Sequence, residues 1–262
     1  MIALMAKILM KKFSLPKDGG LIEVGLPIGI KHTFERIPAH IFEDEETASE
    51  RLAEKITSAI NGCEGTFRLG LTTGSSPISL YNALATKCEK GEVSFKNVEI
   101  YSIDEYYPAP ADNHSRNRRL YEELVAKIDI AKENVHAPKL TEVHDSNYVT
   151  EFCAKYDEMA SGLDLLIMGT GEKGQIGFNE AGASEQSRTR TVLLSYGSRK
   201  RQAKNFGGNV DETPRTAIAM GISTMLSAKK IALIGWGEDK AQIVKQFTED
   251  PIDPMCPVSF LQ

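Results

Sequence analysis

Leu163 to Glu180 reads LDLLIMGTGEKGQIGFNE. From Leu163 to Met168 the residues are apolar apart from Asp164, a run too short for a buried helix of ordinary length and suited to a core strand. Gly169, Gly171, Gly174 and Gly177 follow. Glycines crowded at the end of a parallel strand let backbone come close to a ligand, so the loop reads as one wall of a small-molecule site.

Elements of the same kind lie on both sides. Thr66–Gly74, Val98–Ile103 and Lys230–Gly235 read as core strands, with shorter strands expected at Phe34–Ile37, Arg188–Ser195 and Ala217–Met220. Between them, Asp44–Ile60 places Ala48, Leu52, Ile56 and Ile60 at helical spacing. Further helices are expected over about Arg116–Ile128 and Tyr148–Met159, with a helical turn at Ile222–Ser227. Strands alternating with helices predict an α/β fold: one doubly wound, mostly parallel, Rossmann-like sheet flanked by helices. Residues 1–34, rich in Gly, Pro and Lys, are set apart as an N-terminal extension. Short crossovers make 35–262 a single domain.

Two strand ends carry candidate chemistry. After the strand ending at Gly74 come Ser75, Ser76 and Pro77, then the helical pattern of Leu80, Tyr81 and Leu84. Serine caps helices and proline fits the first helical position, so Ser76 is expected as the cap. The free N–H groups and positive end of such a helix suit a phosphate, although TGSSP by itself fits a plain capped turn equally well. It is not a Walker loop, because no G-K-[ST] follows. The other end is Asp104-Glu105-Tyr106, carboxylates placed where open α/β sheets bind ligands; a bare D-E pair is more often a cap or a solvated pair. The basic run Ser198–Lys204 reads first as a solvated helix face.

Composition narrows the function classes. At 262 residues, 41% hydrophobic and 26% charged, the chain has an ordinary globular make-up, and a formal charge of -5 gives no drive toward nucleic acid. Cys63, Cys88, Cys153 and Cys256 are scattered without metal-ligand spacing and read as small buried hydrophobes in a reducing compartment. No run approaches the roughly 18 apolar residues of a membrane helix. MIALMAKILMKK lacks the charge order of a secretory signal, so a cytoplasmic location is expected.

Taken in order, LGLTTGSSP, SIDEYY, GTGEKGQIGFNE, SRTR, TPRTAIAMGIS and PVSFLQ resemble the glucosamine-6-phosphate deaminase (isomerase) family, within the group that includes 6-phosphogluconolactonases. The resemblance covers about Phe34 to Gln262. It implies conversion of an amino sugar 6-phosphate to a ketose 6-phosphate with loss of ammonia, without a metal or organic cofactor. Asp104 matches the carboxylate that moves a proton between C2 and C1. Gly74, Ser75, Ser76, Lys204 and Lys240 match the phosphate site, Lys204 standing where arginine is expected. The family reads G-x-G-x-D-G-H-I-x-F-N-E where this chain has Lys173 for the aspartate and Gln175 for the ring-opening histidine; Glu180 matches the glutamate that orients it. Glutamine exchanges no proton near neutral pH. Impaired ring opening is therefore expected, with a catalytically inactive phosphosugar-binding protein, or less favoured a lactone hydrolase, as alternatives. The implied partner is a sugar phosphate, and assembly is left open between a monomer and a homo-oligomer.

Overall fold

A computed structural model describes residues 2–6, 36–110 and 114–262. In chain order its elements are β1 (Ile2–Ala6), β2 (Ala39–Phe42), α1 (Glu45–Asn61), β3 (Phe67–Leu71), α2 (Ile78–Glu89), β4 (Val98–Ser102), β5 (Asp104–Tyr106), α3 (Arg116–Glu123) and β6 (Val135–His136). There follow α4 (Ser146–Met159), β7 (Leu165–Gly169), β8 (Arg190–Leu193), α5 (Tyr196–Gln202), β9 (Thr216–Ala219), α6 (Ile222–Leu226), β10 (Ile231–Trp236) and α7 (Ala241–Glu249). Pro257–Leu261 forms a terminal 3-10 turn. Most of the expected N-terminal extension lies outside the described residues, but Ile2–Ala6 pairs as a strand with both β2 and β10.

Seven parallel strands run in the order β2-β1-β10-β7-β3-β4-β6. Side chains alternate faces along a strand. In β7, Leu165 and Ile167 join one hydrophobic cluster while Leu166 and Met168 join the other. In β10, Ala232 and Ile234 part from Ile231 and Leu233 in the same way. Both faces are therefore buried under helices, which is why these strands read as unbroken apolar runs.

Beside this sheet lies a second one, antiparallel, of order β5-β9-β8. Ile103 connects the two: its N–H donates to Leu71 of β3 and its carbonyl accepts from Met220. The strand expected to run through Ile103 thus stops at Ser102, and Asp104 leaves the large sheet on a strand of its own. Two other expectations shift. Of the strand expected at Phe34–Ile37, Phe34 and Glu35 lie outside the described residues and Arg36–Ile37 form a bend; a strand follows at Ala39–Phe42, beginning after Pro38, which has no N–H for a ladder. Ser76 does not cap α2: the cap position is Pro77, with no side-chain bond. Ser76 is held elsewhere, its carbonyl accepting from Trp236 Nε1 at 2.6 Å.

Candidate active site

Strand order places the loops after β3 and β7 side by side. From β3 the chain moves outward to β4 on one side, and it later returns through β7 and β10 on the other, so the switch point falls between β3 and β7. Ligands of open α/β sheets bind in that crevice, beyond the strands' carboxyl ends. Here a Cβ on Gly169 would lie 3.3 Å from Ser76 Oγ, and Trp236 at the end of β10 is tied to the same serine. Gly74, Ser75 and Ser76 therefore sit at the meeting of three strand ends. Lys240 closes the 3-10 turn Glu238–Lys240 after Trp236, with its side chain 16% exposed and Nζ 3.7 Å from its neighbour Asp239.

Asp104 is fully buried. Its Oδ1 accepts from Thr73 Oγ1 at 2.9 Å and from Arg116 Nε at 2.6 Å. Its Oδ2 has no hydrogen-bond partner among the described residues. That oxygen faces the glycine-rich loop, since a Cβ on Gly177 would come within 3.0 Å of it. Gly177 has a φ of 56°, so glycine meets both the conformation and the close approach. The next residue, Phe178, carries Arg116 over its ring at 4.6 Å and packs on Tyr106 at 5.4 Å between centroids.

Glu105 is also fully buried, and it is not the solvated partner that a bare D-E suggests. Its carboxylate accepts from Ser115 Oγ at 2.6 Å, from the N–H groups of Arg116 and Asn117 at 3.1 and 3.0 Å, and from Asn117 Nδ2 at 2.9 Å. An anion at a helix N-terminus satisfies donors that have no partner within the helix. Glu105 thereby fixes the start of α3, from which the Arg116 side chain reaches Asp104. Burial opposes the Arg116 charge, but Asp104, with lesser help from Tyr106 and Glu105, outweighs it and raises the guanidinium above its ordinary value.

Of the two departed positions, Gln175 folds back over its own loop. Gln175 Oε1 accepts from Lys173 N–H at 3.2 Å, and the amide lies over Gly171, where a Cβ would clash at 2.1 Å. Lys173 is exposed. Glu180 is half-buried and accepts from Ser195 N–H at 3.4 Å, so no bond joins it to Gln175. Lys204 is exposed in the 3-10 turn Ala203–Asn205, two residues before Phe206, which packs on Tyr106 at 5.6 Å and under His114 at 4.8 Å. Asp104 and the Gly74–Ser76 turn are brought to one crevice through Thr73; Lys204 stands two residues before Phe206, which packs on that wall. Sequence reasoning missed Thr73 and Arg116. Arginine in the first turn of a helix opposes the helix dipole, a signal that it has a carboxylate to meet.

The family model for glucosamine-6-phosphate isomerases/6-phosphogluconolactonase matches residues 43–262. The chain belongs to this family. It is 37% identical over 235 residues to a putative glucosamine-6-phosphate deaminase-like protein of Bacteroides thetaiotaomicron, covering 87% of this chain. The chain spans about a third, 35%, of that longer protein. It is 37% identical to the glucosamine-6-phosphate isomerase of Candida albicans over 85% of this chain and 90% of that one. A solved monomeric glucosamine-6-phosphate deaminase superposes with a TM-score of 0.77 at 30% identity, covering 83% of this chain and 90% of that one. The 6-phosphogluconolactonase of Thermotoga maritima shares the fold, with a TM-score of 0.62 at 18% identity over 82% and 89% of the two chains. Among the described residues, no helix is long and apolar enough to cross a membrane.

Proposed function

We propose that the chain is a deaminating aldose-ketose isomerase acting on an amino sugar 6-phosphate, with glucosamine 6-phosphate as the first substrate to try, and that its ring opening is impaired. One observation carries this reading: Asp104 is buried with Oδ1 held by Thr73 and Arg116 while Oδ2 faces Gly177 without a partner among the described residues. A proton carrier needs one fixed and one free oxygen, and desolvation keeps it from being tied up by water. The turn Gly74–Ser76, with Lys240 and Lys204 as cations, is assigned to the phosphate. Sugar would reach the carboxylate in open-chain form, because Gln175 and Lys173 offer no acid-base pair there. Ammonia release from glucosamine 6-phosphate, compared with Asp104→Asn, tests the reading. The wild type is expected above the variant; equal rates overturn it.

A second reading, a phosphosugar-binding protein without turnover, is favoured by the closed bonding of Gln175 to Lys173 and of Glu180 to Ser195. It predicts a raised melting temperature with sugar phosphates and no ammonia. A ligand at about 100 times its Kd adds about 2.7 kcal/mol of stability.

A further inference from the structure

Arg116 stands where a cation is unfavourable unless carboxylates meet it, and two do. It opens α3, where the helix dipole disfavours a cation. Its side chain is 13% exposed and paired with a carboxylate of no exposure at all. A desolvated ion pair of this kind is often no more stabilising than apolar side chains of the same volume. Yet a second buried carboxylate, Glu105, is spent on holding the turn that carries it. The pair sits against Gly177 and Phe178, at the free oxygen of Asp104.

We propose that Arg116 is the electrostatic partner of the proton carrier: it holds Oδ1 so that Oδ2 alone acts as base, and it stabilises the charge that develops on the substrate oxygen beside that base. The inference rests on reading the site as a deaminating isomerase. In that reaction Asp104 Oδ2 takes the proton from C2 of the open-chain aldehyde. The C2–H electron pair becomes the C1–C2 double bond, and the carbonyl π pair moves to O1. O1 takes a proton from the ammonium group; Asp104 returns its proton to C1 while the nitrogen lone pair forms the C2 iminium. Water then adds at C2 and ammonia leaves. Negative charge peaks on O1 in the first step, next to the acidic C–H and so next to Asp104. A guanidinium has five N–H donors in one plane, so a bond from Nε to Oδ1 leaves others for an oxyanion. Donors fixed before the reaction are worth most where water is excluded.

The test compares wild type, Asp104→Asn, Arg116→Gln and Arg116→Lys in one ammonia-release assay, with melting temperatures and affinity for fructose 6-phosphate measured alongside. Loss of one such donor typically costs about 100 to 1000-fold in kcat. Arg116→Gln is expected to lose that much with KM and fructose 6-phosphate affinity within about threefold, which a purely structural defect would not spare. Arg116→Lys, which keeps the charge but not the fork, should retain the fold and lose about tenfold. Should Arg116→Gln fail to fold, Arg116→Lys decides: wild-type kcat overturns the inference. Wild-type activity equalled by Arg116→Gln overturns this inference and leaves the deaminase reading standing. Wild-type activity no higher than Asp104→Asn overturns both.

Discussion

Gly177 holds more of the site than its missing side chain suggests. At φ 56° it occupies a region that costs an L-residue about 1–2 kcal/mol. Its Cα side is also the surface that Asp104 Oδ2 faces, so a methyl group there would stand 3.0 Å from the oxygen and 3.3 Å from Ile103 Cδ1. Gly177→Ala should therefore do two separable things. Chemical denaturation should show a loss of about 1–2 kcal/mol, and ammonia release should fall by at least about tenfold because the methyl shields Oδ2, the oxygen proposed as the base. An Ala variant destabilised but fully active would show that Oδ2 is not the oxygen that meets the sugar.

At the scale of elements, a buried carboxylate adds to the Ile103 bonds that hold the second sheet to the body. Asp157 of α4 is buried; it accepts from Thr189 N–H at 2.7 Å and from Thr224 Oγ1, and pairs with Arg188 Nε at 2.5 Å. This ties α4 to the segment entering β8 and to α6. Burial pushes the Asp157 carboxyl up, but the bonds from Thr224 and Thr189 and the charge of Arg188 together hold it below its ordinary value. A group depressed in the folded state stabilises fully above its unfolded pKa of about 3.9, and that contribution is lost as pH falls through the lower folded value. Urea midpoints should place the wild type above Asp157→Asn at pH 6, with the gap closing below about pH 4. A gap constant across that range would remove the carboxylate's charge from the account. Little of this link was legible in the sequence. Periodicity finds α1 and α4 and the apolar strands β7 and β10 because each is buried on a regular face. It does not separate β5 from β4, since VEIYSIDEY is continuous and only the two bonds of Ile103 mark the change of sheet. The place of Asp104 after the apolar run of β4 was legible; its role as proton carrier came only from the resemblance and stays a proposal. Arg116 was not legible, because its partner lies 12 residues away across a loop, and Ser76 was misread because its carbonyl, not its hydroxyl, makes the deciding bond.

At the scale of the whole molecule, the crevice is built from both sheets: the Gly74–Ser76 turn proposed for the phosphate and the glycine loop leave strands of the large one, and Asp104, the proposed proton carrier, belongs to the small one. What the chain lacks is local. Lys173 and Gln175 occupy one surface loop whose backbone is set by Gly171 N–H on Gln175 O, by Val258 N–H on Gly174 O, and by Gly174 packed against Cys256. None of these bonds uses the side chain at 173, and only the bond from Lys173 N–H uses that at 175. The loop should therefore accept Lys173→Asp with Gln175→His without refolding. An imidazole supplies the proton exchange that glutamine cannot, and general acid-base help is worth about 100 to 10,000-fold. If ring opening limits the wild type, ammonia release by the double variant should rise within that range, with Kd for fructose 6-phosphate little changed. The gain should vanish when Asp104→Asn is added, because an opened sugar still needs its C2 proton removed. A folded double variant that binds the sugar phosphate but gains nothing would place the block at the proton-transfer step, beside Asp104 and Arg116, and not in the loop.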